Sequence, residues 1–231
     1  TSDSGKIATF DGKTHLIWQD VTREGYPNRV QSWDHKVAEW SQPATLDLGI
    51  DNHARGVMTI DREGFLQVIL GGHGSAVSWC RSRRPNDSSA FTEPVEIGVG
   101  TYPVLRCAPD GTLLLTLRGK GSERHQRGVD LYRKPPGGDW QAPVRIVKLA
   151  EEYGEAYAAF HMDMAAAPDG VLHAIIDFYE GEDDCGRGFH QATCYARSPD
   201  GGNRWEKSDG TAVSLPARPE DLDILERHAR S

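Results

Sequence analysis

Short apolar runs alternate with tight polar turns along this chain, and the same alternation returns four times. Asp11-Gly12, Asp61-Arg-Glu-Gly64, Asp110-Gly111 and Asp169-Gly170 are turn signals, each between a strand-like run and a more apolar one. The apolar runs occupy residues 15–18, 65–70, 113–117 and 171–176. A third run follows in each unit, at 29–33, 76–81, 128–133 and 191–197, and an aromatic closes it: Trp40, Phe91, Trp140 and Trp205. Runs this short, split by Asp-Gly turns and lacking helical periodicity, predict antiparallel strands. A repeat of about fifty residues predicts four-stranded propeller blades. The expected fold is all-β: one β-propeller domain over residues 1–231, with about four blades at roughly 5–50, 51–98, 99–149 and 155–213. Four is the low end for a closed ring, so the chain reads as part of a larger one. Residues 219–227 read as a short polar helix or the lead-in to a further blade.

The last unit carries Ser198-Pro-Asp-Gly-Gly-Asn-Arg-Trp205, which matches the Asp-box turn Ser-x-Asp-x-Gly-x-x-Trp at every defined position. Its aspartate is expected to tie down the turn and its tryptophan to pack between sheets. That motif specifies architecture and says little about activity. Gly137-Gly-Asp-Trp140 keeps a piece of it.

The repeat also aligns the residues capable of chemistry. His53, Tyr102 and His161 stand at the same offset before the turn aspartates of three successive units, at the expected start of each innermost strand. His73 and Arg118 fall near the expected end of the second strand. Adjacent strands run antiparallel, so these five gather at one mouth of the channel. Each alone has a bland reading as a hydrogen-bonded loop residue, packing aromatic or surface ion-pair partner; their convergence favours a site. Arg55 and Asp163 share the next inward position and read as a channel ion pair. His15, His35, His125 and His228 read as surface residues.

Bulk properties narrow the partners. A net charge of −8, with 26% charged residues, argues against a generic nucleic-acid or membrane-surface role. Arg81-Ser-Arg-Arg84 is the one compact basic patch, and no apolar run reaches the roughly 18 residues a span requires. The chain begins at Thr1 without a signal-peptide pattern and reads as a processed or trimmed product. Four cysteines are too few for a disulfide scaffold. Cys80 and Cys107 read as buried thiols.

At Asp51-Asn-His-Ala-Arg-Gly56, Gly72-His-Gly74, Thr101-Tyr-Pro103 and Leu117-Arg-Gly119 the chain resembles the seven-bladed propeller polysaccharide lyases of the BNR-repeat group. These are the ulvan lyases and the rhamnosyl-glucuronate lyases; the resemblance covers roughly residues 5–210. Its specific part is the order His, His, Tyr, Arg and their spacing. The resemblance implies β-elimination at a uronic acid: a base removes the C5 proton, the carboxylate is neutralised, and the 4-linked sugar leaves. His53, His73, Tyr102 and Arg118 are then the catalytic residues, with Arg55 and His161 binding substrate. Arg118 suits the neutralising role because a guanidinium stays charged and grips a carboxylate with two N–H groups. His73 shares that role or acts as base, and His53 and Tyr102 stay open as acid or base.

The implied partner is an acidic polysaccharide, with neither nucleic acid nor membrane, and the implied compartment is secreted or periplasmic. No cofactor is required for the chemistry. Such folds often carry a structural metal, which points to zinc on Cys185 and His190, with His161 or an aspartate as further ligand. A loop disulfide between Cys185 and Cys194 is the rival. The alternative functions are a propeller glycoside hydrolase and a non-catalytic carbohydrate-binding propeller. A sialidase needs three arginines on the carboxylate, whereas only one is well placed.

Overall fold

The computed structural model describes residues 5–49, 51–119, 128–147, 157–181 and 188–227. Among them there is no α-helix, and the all-β expectation holds. The first sheet contains β1 (Ile7–Phe10), β2 (Lys13–Gln19), β3 (Tyr26–Asp34), β4 (Glu39–Trp40) and β5 (Ala44–Gly49), with β4 and β5 both paired to β3. The second runs in chain order through β6 (Val57–Ile60), β7 (Leu66–Gly71), β8 (His73–Arg81), β9 (Val95–Cys107), β10 (Leu113–Gly119), β11 (Val129–Lys134) and β12 (Val144–Val147). The third holds β13 (Tyr157–Ala166), β14 (Leu172–Gly181), β15 (Gly188–Ser198), β16 (Trp205–Glu206), β17 (Ala212–Val213) and β18 (Asp223–Arg227). Each Asp-Gly signal is the turn it predicts, joining β1–β2, β6–β7, β9–β10 and β13–β14.

One strand belongs to two meanders. Residues 95–101 of β9 pair with β8 and residues 100–107 with β10, so that Gly100 and Thr101 serve both. The changeover coincides with Tyr102, a non-glycine residue at φ +55°, where an L side chain is uncommon and the strand must break its regular course. The sequence pattern sets no boundary there, because the residues on both sides are equally strand-forming.

Three apolar layers hold consecutive meanders together. Ile17 and Val30 meet Met58, Leu66, Val68 and Leu70. Val57, Ile69 and Val77 meet Leu105, Leu115 and Leu117. Val104, Leu114 and Leu131 meet Met162, Ile176, Phe178 and Trp205. Each such side chain is nearly or fully removed from water, worth about 1.5–3 kcal/mol apiece. Alternate residues of the central strands enter different layers, Leu114 one and Leu113, Leu115 and Leu117 another, which is why β7 and β10 are apolar over consecutive positions.

The Asp-box forms as expected. Asp200 Oδ1 accepts the N–H groups of Asn203 (3.1 Å) and Arg204 (2.7 Å), Ser198 Oγ accepts that of Gly202 (2.7 Å), and Trp205 is 1% exposed.

Two expectations fail here. His15 is fully buried, not on the surface; its ring bonds Ser32 Oγ (2.6 Å) and Asn86 Oδ1 (2.8 Å), which satisfy both nitrogens inside the protein. His35 is exposed as expected, and His125 and His228 lie outside the described residues. The helix expected over residues 219–227 is confined to a single 3-10 turn at Pro219–Asp221, and the segment continues as β18, which runs antiparallel to β15.

Candidate active site

The first sheet builds the platform for the segment from Asp51 to Gly56. Gln19 Nε2 donates to the carbonyls of Asp51 (2.9 Å) and Ala54 (3.2 Å). Asn28, fully buried, donates to the Ala54 carbonyl (3.2 Å) and accepts the Gly56 N–H at 2.8 Å. His53 therefore sits in a pinned turn ahead of β6 rather than at the start of the strand. The turn begins with Asp51, whose Oδ1 accepts the N–H groups of His53 (2.7 Å) and Ala54 (3.1 Å), an Asx turn.

His73 reaches the same carboxylate from the other side. It opens β8 instead of ending β7, because Gly71 and Gly72 reverse the chain at φ +84° and +95°. A β-carbon at Gly71 would stand 2.2 Å from the Ala76 carbonyl oxygen, and one at Gly72 2.9 Å from Pro103 Cδ. Only glycine fits this reversal. It carries the His73 ring to Asp51, with Nδ1 2.5 Å from Oδ2. The His53 ring stacks on it, centroids 4.4 Å apart and planes at 26°.

Tyr102 and Arg118 form the other half. Thr101 is the cross-strand partner of both His73 on β8 and Arg118 on β10, so one residue joins the two halves. Thr101 Oγ1 also accepts the Gly74 N–H (2.9 Å), and the Tyr102 N–H donates to Gly72 O (3.1 Å). Arg118 lies over the Tyr102 ring, Cζ 4.7 Å from its centroid. His161 on β13 faces this group from the next meander, where Thr116 Oγ1 of β10 donates to the Met162 carbonyl (3.1 Å). Burial lowers the pKa of His161, with Asp163 and Asp177 opposing and Arg118 reinforcing the shift.

The remaining expectations divide. Asp163 pairs with Arg106, Nη2 to Oδ1 at 2.9 Å, so the expected Arg55–Asp163 pair is replaced. Arg106 stands on the strand beside β13 and reaches Asp163 directly, whereas Arg55 is exposed in the turn and donates Nε–H to the Asn52 carbonyl (3.0 Å). His190 Nδ1 binds Asp177 Oδ2 at 2.6 Å, with the Tyr179 ring edge-on at 5.4 Å. Cys185 lies outside the described residues. Cys194 is a free thiol in the core, pushed up to about 12 by burial, which removes the Cys185–Cys194 disulfide. Cys80 is buried as expected, and Cys107 only partly.

Asp51 is the residue that the motif contained and sequence reasoning left without a role; the signal was an aspartate two positions before a candidate histidine. Hydrogen bonds from His53, the His73 ring and Ala54 outweigh partial burial and hold its carboxyl below the usual range. Asp51, His53 and His73 bring one donor atom each to within 4.8 Å of one another. Such a set can pass protons and has the ligand types of a metal site. A cavity of about 410 Å³ between the third and fourth meanders lies at the opposite, Asp-Gly-turn end, against Asp110, Arg133 and Asp200, and holds none of the expected site residues.

A family model described as "BNR repeat-containing family member" matches residues 11–229. An ulvan lyase of Alteromonas sp. (strain LOR) is 24% identical, aligned over 92% of this chain and 50% of its own length. Ulvan Lyase-PL25 of Pseudoalteromonas sp. (strain PLSV) is 26% identical over 60% of this chain and 32% of its own. Among solved structures, a polysaccharide lyase PL25 ulvan lyase bound to -[GlcA(1-4)Rha3S]- superposes with a TM-score of 0.79 at 18% identity, covering 96% of this chain and 58% of that one. The chain thus spans about half the length of the relatives it matches, and the fold is shared with them.

Proposed function

The chain belongs to the BNR repeat-containing family, and we propose that it is a polysaccharide lyase, a carbon–oxygen lyase that cleaves rhamnose-(1,4)-uronate linkages in ulvan-type or rhamnosyl-glucuronate glycans by β-elimination. One observation carries the reading: Thr101 joins an aspartate-bound, stacked histidine pair to an arginine lying over a tyrosine.

The chemistry demands this combination. A C5–H beside a carboxylate resists removal until the carboxylate charge is offset. Arg118 supplies that offset, and His73, on the other side of Thr101, shares it or acts as base. A ring nitrogen or the Tyr102 oxygen takes the C5 proton, its electrons form the C4–C5 double bond, and the C4–O bond breaks. Tyr102 or a histidine then returns a proton to the leaving oxygen. Arg55, exposed beside His53, and His161, across from Arg118, extend the contact surface along the polymer.

The four meanders are read as four blades of a seven-bladed ring, and the protein as secreted or periplasmic, since its polymeric substrate lies outside the cell. A structural zinc on Cys185 and His190 belongs to the same reading; metal analysis of the purified protein beside Cys185→Ser tests it.

Incubation with ulvan and with rhamnosyl-glucuronate glycan decides the matter. A lyase produces ultraviolet absorbance from an unsaturated uronate, lost in Arg118→Ala. New reducing ends without that absorbance indicate a hydrolase. Binding without turnover indicates a carbohydrate-binding propeller.

A further inference from the structure

Asp51 uses its two carboxylate oxygens for different ends. Oδ1 closes the turn by accepting the His53 and Ala54 N–H groups. An Asx turn asks for nothing more. Oδ2 is turned away from its own loop, across to β8, where it meets His73 Nδ1 at 2.5 Å. Considerable structure serves this meeting: Gln19 and Asn28 fix the turn, and the Gly71-Gly72 reversal brings His73 to it. An ionised carboxylate only accepts hydrogen bonds, so the atom facing it must be Nδ1–H. In the neutral ring the lone pair is then on Nε2; in the protonated ring Nε2 carries the second N–H.

We propose that Asp51 is a positioning residue for His73, holding the proton on Nδ1 and the ring in place so that every exchange with substrate passes through Nε2. The proposal rests on the lyase reading for its catalytic consequence and on geometry alone for the tautomer. The same carboxylate does not hold the other ring, because His53 Nδ1 stands 3.7 Å from Oδ1, beyond hydrogen-bond length. One imidazole of the stacked pair is therefore hydrogen-bonded to Asp51 and the other is not. Among the described residues, the charged or titratable groups around His73 are Asp51 and His53 from the turn, with Tyr102 and Arg118 reached through Thr101.

The discriminating variant is Asp51→Asn. An asparagine oxygen still accepts from His53 and Ala54, so the turn survives, but its NH₂ faces His73 as a donor. The ring must answer with a lone pair on Nδ1, which moves the proton to Nε2. Imidazole nitrogen NMR, with the His73 signals assigned by loss in His73→Gln, reads this directly. The expected result is an Nδ1–H tautomer in the wild type and an Nε2–H tautomer in Asp51→Asn, at equal melting temperature. In turnover, kcat falls at least roughly a hundredfold while KM stays nearly constant, the pattern of a wrong tautomer in a correct fold. A wild type inert on every polysaccharide, with the tautomer change still seen, sinks the lyase reading and leaves Asp51's role intact. Asp51→Asn that keeps Nδ1–H on His73 and turns over normally overturns the proposal.

Discussion

Arg118 lies over the Tyr102 ring, its Cζ 4.7 Å from the ring centroid, and Thr101, next to Tyr102, is the cross-strand partner of Arg118. A planar cation on an aromatic face is held in orientation as well as in place. The stack limits the rotation of the guanidinium, which in the proposed lyase would favour a two-pronged grip on a uronate carboxylate.

Arg118→Lys tests whether charge alone suffices. Lysine keeps one positive charge but loses the planar guanidinium over the ring and its two-pronged grip. We expect kcat/KM to fall by roughly 10- to 100-fold, with thermal unfolding nearly unchanged. A lysine variant as fast as wild type would show that the guanidinium shape plays no part.

Tyr102 separates chemistry from conformation. Tyr102→Phe keeps the ring under Arg118 and loses only the hydroxyl, so the melting temperature should hold while turnover drops by at least roughly 100-fold. Tyr102→Gly relieves the φ of +55° but removes the ring, and should lose activity without a corresponding loss of stability. Wild-type turnover in the phenylalanine variant would remove Tyr102 from proton transfer.

His15 predicts how stability depends on pH. The ring is sealed between Ser32 and Asn86, and burial lowers its pKa from 6.5, opposed by the Asn86 hydrogen bond and reinforced by Lys13. The unfolded chain binds the proton more readily than the folded one. Its contribution is therefore complete above pH 6.5 and is lost as pH falls from there towards the lower folded value. Denaturant midpoints should decline below pH 6.5 in the wild type. His15→Gln should be less stable at neutral pH by about 1–3 kcal/mol and show a flatter decline. Parallel curves for the two proteins would assign the acid sensitivity elsewhere.

The architecture was legible because its signals are local. Asp11-Gly12, Asp110-Gly111 and the Ser198–Trp205 motif each dictate their own turn, and alternation tells which side chains face the layers. His53, His73, Tyr102 and Arg118 were legible as a group because repeat spacing places them at one end. Asp51 as His73's partner was not, since that contact depends on how far a glycine reversal carries β8 towards a distant turn. Nor was His15: its ring is closed in by Asn86, 71 residues along the chain, and no local pattern marks such a partner. Arg55 and Asp163 share a repeat offset, yet Arg106 was nearer once the strands were laid side by side.

The last relationship worth testing lies behind the site. Asn28 is fully buried, and its amide donates to Asp47 Oδ1 (2.8 Å) and the Ala54 carbonyl (3.2 Å) while accepting the Gly56 N–H (2.8 Å). It touches no substrate, but the turn holding Asp51 and His53 is anchored through it to the first sheet. Asn28→Ala would leave the Gly56 N–H without that acceptor and Asp47, whose pKa burial already raises, without its donor. The cost should be about 2–4 kcal/mol. Because the loss is concentrated at the root of the turn, turnover per folded molecule should also fall by more than about tenfold, measured well below the melting temperature. His15→Gln provides the comparison, with a similar loss of stability at a distance from the turn and no loss of turnover per folded molecule. If both variants lose stability and neither loses turnover, the turn keeps its geometry without Asn28, and the first sheet is a neighbour of the site rather than its support.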